Sequence, residues 1–154
     1  MGIAKGVSIR SLESIQGGMT EFYTPQSSDE TTLVRIPAKT IDDLFVHKHQ
    51  TDQLLVVKGS FVLVVLYNRQ YQYIPLSEHQ PQVVSIPPLT AHGAVNLNSE
   101  DCLLVNALLR HGQASEKDYR PIALPFPYNL EKAQISLNRL KSSLKKSKEV
   151  INMQ

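Results

Sequence analysis

Three histidines in this chain of 154 residues have the residue type and spacing to form a reactive site. His47 and His49 stand two residues apart in "FVHKHQ", and His92 lies in "PPLTAHGAVN". Successive side chains of a β-strand point to opposite faces, so a strand through the first stretch would place His47 and His49 on one wall. Buried polar groups need partners or a function, because burying them unpaired costs free energy. We therefore expect the three imidazoles to converge.

Metal binding is one chemistry that such a group could perform. Imidazole nitrogen suits Zn, Cu, Fe and Ni, and an open metal site needs about three protein ligands besides water. A fourth, oxygen-bearing ligand could come from Asp52 or from Gln53, and the sequence leaves that choice open. The histidines therefore predict a site for a divalent transition metal such as Zn, Ni, Fe or Mn.

An all-β domain is expected to position these side chains. Between Leu33 and Leu109 the sequence consists of short β-like runs separated by turn residues, at intervals of roughly 8 to 12 residues. Prolines such as Pro75 and Pro87 stand at the ends of runs, where a missing N–H is tolerated. This pattern favours a sandwich or a barrel over alternating βαβ units.

The C-terminal segment has a helical pattern instead. Asn129 can cap a helix in which apolar residues recur every three or four positions: Leu130, Ala133, Leu137, Leu140 and Leu144. We divide the chain into a β-barrel domain, residues 1–128, and a basic helical tail, residues 129–154. Packing on the barrel or on a partner subunit is the preferred interpretation of this tail. A membrane-surface or nucleic-acid role is less favoured, because aromatic residues are absent after Tyr128.

Charge and cysteine content limit the function classes. The formal net charge is +2, too small to suggest a nucleic-acid partner. From Asn129 onward six basic residues face two acidic ones, so the tail carries +4 and the rest of the chain −2. Cys102 is the single cysteine, which excludes an intrachain disulfide, and its apolar surroundings predict an inert buried thiol. With no membrane-length apolar stretch and no leader-like start, the sequence predicts a cytoplasmic protein.

The two histidine segments resemble the two sequence motifs of the cupin superfamily. "HKHQTDQLLVVKG" is similar to the first motif: His-x-His, a short gap, an acidic residue, six residues and Gly. "PPLTAHGAVN" is similar to the second, Pro-x-Gly-x-x-His-x-x-x-Asn, with Leu89 in the place of Gly. The residues that match are His47, His49, Gly59, Pro87, His92 and Asn96. The resemblance implies a double-stranded β-helix, which is a jelly-roll barrel.

Two functions follow from this resemblance, and a third possibility is a non-catalytic barrel that binds or senses a small molecule, with the helical tail serving a partner. Metal-binding cupins imply His47, His49, His92 and Asp52 as ligands in a small-molecule enzyme or sensor. The sequence also resembles the sugar-nucleotide 3,5-epimerases and 3,4-ketoisomerases in "AHG" and in "EKDYRP". Enzymes of that branch need no metal and move protons next to a keto group.

The second resemblance implies its own set of residues and partners. His47 or His49 would be the base and Tyr73 the acid. Substrate-binding candidates are Arg35, Arg110, Gln53 and Tyr71. The ligand would be a nucleotide sugar, and the resemblance further implies a homodimer formed through the segment Gly2 to Ser14.

Overall fold

Two antiparallel β-sheets face one another and a single helix packs outside them. The computed structural model describes residues 6–17, 20–23, 25–112 and 118–152. The strands are β1 Ser8–Ser11, β2 Ile15–Gly17, β3 Thr20–Phe22, β4 Glu30–Ile36, β5 Thr40–Ile41, β6 Leu44–His47, β7 Gln50–Lys58, β8 Ser60–Tyr67, β9 Gln70–Ser77, β10 Gln82–Ile86, β11 His92–Asn96, β12 Cys102–Arg110 and β13 Tyr119–Ile122. The helix, α1, spans Leu130–Asn152. The all-β barrel with a C-terminal helix is confirmed.

The strands form two main antiparallel sheets, as in a β-sandwich. The first sheet runs β1-β10-β7-β12-β4, and the second runs β13-β6-β11-β8-β9 with β5 beside β11. β2 and β3 pair with each other in a separate two-stranded sheet. Of the segment expected to serve a dimer, residues 2–5 lie outside the described part of the chain, and β1 pairs with β10 of the same chain.

The space between the sheets holds the main hydrophobic core. Inward residues of β7, β8 and β12 form it, among them Leu54, Phe61, Leu63 and Leu104, all less than a tenth exposed. Cys102 belongs to this core, and its burial, with a contribution from Glu78, raises the pKa of the thiol to about 12. The predicted inert thiol fits this environment.

A second core lies between the outer face of the second sheet and α1. Val62 and Val64 point out of the barrel onto Ala133 and Leu137 of the helix, and all four are almost fully buried. The strand β8 is therefore covered on both faces, which explains why its sequence is continuously apolar rather than alternating. Asn129 caps the helix by accepting a hydrogen bond from the Lys132 N–H at 3.0 Å, as predicted.

The helix is too polar to cross a bilayer. Nowhere in the described residues is there a helix with the length and apolar character of a membrane span.

The loop before β11 contains a strained residue. Leu89 has a φ angle of 66°, in the left-handed region, and its side chain is 71% exposed. It occupies the place of the motif's Gly, and its N–H donates to the His47 carbonyl at 2.7 Å. The left-handed conformation costs an L-residue about 1–2 kcal/mol, and glycine avoids most of this cost.

We expect Leu89→Gly to raise the free energy of unfolding by about 0.5–1 kcal/mol, measured by urea denaturation. Leu89→Ala is the control, because it shortens the side chain but keeps the strain. Equal stability of the two variants would contradict this account.

Candidate active site

A cavity of about 410 Å³ opens between the two sheets. Its inner wall is apolar and includes Leu54, Phe61 and Leu104. Its polar wall carries the candidate site group: His47 from β6, Asp52 and Gln50 from β7, His92 from β11, and Asn106 from β12. Small-molecule sites have this composition, a mostly apolar pocket with a few convergent polar groups.

The expected strand through both first-motif histidines is interrupted. β6 ends at His47 and β7 begins at Gln50. Asp118 stabilises the bend, because its Oδ1 accepts hydrogen bonds from the N–H groups of Lys48 at 2.9 Å and His49 at 2.7 Å. His47 consequently lies in the cavity wall, whereas His49 is exposed. The structure does not bring His49 to the other two histidines.

His92 and Asp52 form a buried pair. His92 Nε2 lies 3.0 Å from Asp52 Oδ2, and His92 Nδ1 lies 2.8 Å from the Thr90 carbonyl oxygen. Both side chains of the pair are 4% exposed. A carbonyl oxygen only accepts, so Nδ1 must donate, and Nε2 also faces an acceptor if Asp52 is ionised. Both ring nitrogens of His92 therefore face oxygen atoms, which fixes the orientation of the imidazole in the cavity wall.

Two amides hold the other oxygen of Asp52. Asp52 Oδ1 accepts from Gln50 Nε2 at 2.6 Å and from Asn106 Nδ2 at 2.9 Å. Burial raises the pKa of Asp52, but the hydrogen bonds from His92, Asn106 and Gln50 together with the charge of His92 outweigh it. The pKa of Asp52 is accordingly below its usual value, and the carboxylate is ionised near neutral pH.

His47 is the least satisfied member of the group. Its Nε2 lies 3.5 Å from Asp52 Oδ2 and its Nδ1 lies 3.6 Å from Asp118 Oδ2. Nδ1 is buried and has no hydrogen-bond partner among the described residues. Burial lowers the pKa of His47 most strongly, Asp52 opposes this shift, and His92 adds to it. A neutral imidazole at neutral pH is the result, as a base requires.

Aromatic rings surround these histidines. The ring centroid of Phe45 lies 4.4 Å from that of His92, 5.4 Å from that of His47 and 5.0 Å from that of Tyr119. Tyr119 pairs with His47 across β13 and β6, lines the cavity and is 53% exposed. Tyr119 is absent from the residues selected from the sequence. The only signal was its place in "EKDYRP", after the last predicted strand of the barrel.

Of the two expected substrate-binding arginines, Arg110 lies at the cavity, whereas Arg35 borders it with an outward side chain, and both have acidic partners. Arg110 pairs with Glu30 through its Nη2, and its Nη1 lies 3.4 Å from Gln50 Oε1. Arg35 pairs with Asp101 at 3.6 Å and its side chain is 67% exposed. A ligand anion would therefore compete with a carboxylate at each arginine.

The other selected residues lie elsewhere. Gln53 points away from the cavity, and its Nε2 donates to the carbonyl oxygens of Ser27 and Ala107. Tyr71 and Tyr73 share a face of β9 as expected, but this face packs under the segment before α1. The Tyr71 hydroxyl donates to the Phe126 carbonyl at 2.6 Å, and the Tyr73 oxygen accepts from the Asn129 N–H at 2.7 Å. The cavity thus brings together His47, Asp52 and His92 without Gln53 and the two tyrosines.

A metal could be held by the same three residues. One ligand atom from each of His47, Asp52 and His92 lies within 4.8 Å of the other two. Two imidazoles and one carboxylate are a known donor set for divalent iron and related metals. The Nδ1 contact of His92 with a backbone carbonyl is also the outer contact that metal-binding histidines usually make.

Solved structures resemble this architecture although the sequences differ. A dTDP sugar isomerase from Desulfovibrio desulfuricans has a TM-score of 0.66 and 12% identity, covering 80% of this chain and 91% of its own. A dTDP-4-dehydrorhamnose 3,5-epimerase from Sulfolobus tokodaii has a TM-score of 0.66 and 18% identity, covering 84% and 85%. A sugar 3,4-ketoisomerase from Thermoanaerobacterium thermosaccharolyticum, solved in complex with TDP, has a TM-score of 0.63 and 14% identity, covering 89% and 98%.

No protein-family model matches the sequence. No curated protein matches it either. The structural likenesses, all below 25% identity, therefore establish the fold.

Proposed function

We propose that this chain, which has the cupin fold, is an epimerase or ketoisomerase that moves a proton next to the carbonyl group of a keto sugar. The observation that carries the proposal is His47. It is a neutral, under-satisfied imidazole in the wall of a ligand-sized cavity, with a tyrosine beside it. The fold shared with sugar isomerases and epimerases supports the same reaction class.

The reaction would include two proton transfers at carbon, one that removes a proton and one that returns it. His47 removes the proton from the carbon next to the carbonyl, and the electron pair of the broken C–H bond moves onto the carbonyl oxygen as an enolate. A proton returned to the opposite face of the same carbon inverts it. Return to the former carbonyl carbon shifts the keto group when the hydroxyl on the first carbon also transfers its proton to the enolate oxygen, so that a ketone forms at the first carbon and an alcohol at the second. The Tyr119 hydroxyl is the candidate donor for this return, since its ring lies 6.0 Å from that of His47, centroid to centroid.

The buried pair of Asp52 and His92 sets the electrostatics of this reaction. Coulombic interaction with His92 lowers the pKa of His47 and so favours the neutral imidazole that a base requires. Because Gln50 and Asn106 hold Asp52 in place, this charge arrangement exists before the ligand binds. Such preorganisation spares the reaction the cost of reorienting dipoles.

For the substrate we propose a nucleotide sugar. Neighbouring structures contain TDP or TDP-4-keto-6-deoxyglucose. Arg110 lies at the cavity and could pair with a diphosphate after exchanging Glu30 for it. The side chain of Arg35 points outward and pairs with Asp101, so its contribution would require it to turn toward the cavity. The predicted homodimer and the predicted cytoplasmic location stay predictions.

Deuterium exchange tests the proposal directly. The chain is incubated with TDP-4-keto-6-deoxyglucose in deuterated water, and the sugar is followed by NMR and mass spectrometry. We expect enzyme-dependent incorporation of deuterium at a carbon next to the keto group. If a large excess of protein gives no exchange above the uncatalysed rate, the proposed reaction is excluded for this substrate class.

The pH dependence of that exchange provides a further prediction. Because the pKa of His47 lies below its usual value of 6.5, the base is neutral at pH 7. The rate should fall only when the pH drops through the lowered pKa, so the acidic limb of the profile should have its midpoint below 6.5. A midpoint above pH 7 would point to a different base.

Metal-dependent chemistry is a second candidate, favoured by the His47, Asp52 and His92 donor atoms. These residues fit a divalent metal in type and separation, and such an ion would polarise a bound carbonyl. Elemental analysis of the purified protein decides between the two candidates. About one equivalent of a transition metal, lost in Asp52→Ala and retained in the exposed control Asp101→Ala, would support the metal. No metal after incubation with Zn, Ni, Fe and Mn salts would leave the acid–base reaction.

A further inference from the structure

A second cavity lies on the far side of the second sheet, between α1 and two turns of the barrel. It has a volume of about 310 Å³ and shares no lining residue with the candidate active site. The turn after β7 and the turn after β9 form its floor, with Gly59, Ser60 and Ser77. One wall is the helix face with Lys141, Lys145 and Lys148, and we refer to this cavity as the lysine groove.

The helix sequence concentrates positive charge in this groove. Lys141, Lys145 and Lys148 are spaced four and three residues apart, so they stand above one another on one face of α1. Like charges at this spacing destabilise a helix by a few tenths of a kcal/mol per pair. An anion bound between them would remove that repulsion.

Few protein groups neutralise these amines. Lys141 Nζ donates to Asn98 Oδ1 at 3.3 Å, which fixes one end of the groove without adding negative charge. The Nζ atoms of Lys145 and Lys148 make no hydrogen bond or ion pair with any residue in the described ranges. Glu78 is the one carboxylate in the lining, and it pairs with His79 at 3.4 Å. The groove therefore has an excess of about two positive charges.

We propose that the lysine groove binds the phosphate chain of a small molecule, with two or three linked phosphates. Three ammonium groups over two turns of helix match a linear oligophosphate, because each can donate to a separate phosphate. The walled shape and the volume correspond to a small-molecule site. Among the described residues the lining holds no Phe, Tyr or Trp, and its one ring is the imidazole of His79, so it provides little stacking surface for the bases of a single-stranded nucleic acid.

The outer face of the same helix provides a matched control. Arg139 and Lys146 lie on an exposed face with no barrel wall opposite them. The double variants Lys145→Gln/Lys148→Gln and Arg139→Gln/Lys146→Gln each remove two positive charges from α1. A ligand held in the groove depends on the first pair, whereas a diffusely attracted polyanion depends on both pairs equally.

The experiment measures binding of inorganic pyrophosphate and triphosphate by calorimetry, using the full chain at about physiological ionic strength. We expect the groove variant to lose at least about tenfold in affinity, with the outer-face variant within about twofold of the parent. Circular dichroism checks that both variants are folded. Equal losses of affinity in the two variants would overturn the proposal, because they would indicate nonspecific attraction of the anion to the whole helix. A short RNA, measured in parallel, provides the pattern expected for such nonspecific attraction. Failure of the parent chain to bind either phosphate at millimolar concentration would also overturn the proposal.

Discussion

Replacing His47 with asparagine should lower the rate of deuterium exchange into a keto-sugar substrate by about 10²–10⁴-fold, the usual contribution of a positioned base. Asparagine preserves polarity and approximate size but cannot accept a proton at this pH. The cavity and the pair of Asp52 and His92 remain, so the variant should still bind the substrate. Exchange is measured by NMR at saturating substrate.

His49→Asn is the matched control for this prediction. It makes the same chemical change two residues away, on a side chain that is exposed and outside the cavity. We expect its exchange rate to stay within about threefold of the parent, since surface changes away from a site have small effects. Loss of activity in His49→Asn with retention in His47→Asn would reverse the assignment of the base.

Adding one methyl group at Gly93 should strongly destabilise the protein. A Cβ atom at this residue of β11 would lie 2.7 Å from the Tyr128 hydroxyl oxygen and 2.8 Å from the Asp43 carbonyl oxygen. The backbone oxygen cannot swing away, and Tyr128 is itself buried under the helix. We expect Gly93→Ala to lower the free energy of unfolding by about 3 kcal/mol or more, measured by thermal or urea denaturation.

Gly112→Ala tests whether this loss is specific. The nearest atom to a Cβ at Gly112 is Cγ of His49, at 3.4 Å, and that side chain is exposed and free to shift. We expect a change within about 0.5 kcal/mol. If Gly93→Ala is equally mild, strand β11 must be able to move away from Tyr128 by more than the packing suggests.

The sequence was sufficient for the fold because the relevant signals are local. Short apolar runs with polar turns predicted the sheets, and the spacing of Ala133, Leu137 and their neighbours predicted the helix. Two faces of β8 are buried by different partners, and its apolar run "FVLVVL" carries that information. The helix cap at Asn129 was equally visible.

The candidate site could be predicted only in part, because the alternation of side chains between the two faces of a strand cannot be followed through a bend. The rule of alternation placed His49 beside His47, but a distant residue, Asp118, holds the chain in a turn at that point. A new strand begins after the turn, at Gln50, and the alternation of side chains starts again there. Asp52 therefore faces the cavity and Gln53 faces away from it. Tyr119 was not predicted as a site residue for a similar reason, because its pairing with His47 joins residues that are far apart in the sequence.

The burial of β8 between the sandwich and α1 has a consequence for how the chain can be shortened or cleaved. Proteolysis near residue 129, with loss of α1, would expose Val62 and Val64 on the outer face of the second sheet. An exposed apolar patch of this kind favours association with other proteins. The helix therefore acts as a solubilising cover for the barrel, and the lysines on its surface are part of what keeps the assembled chain dispersed in water.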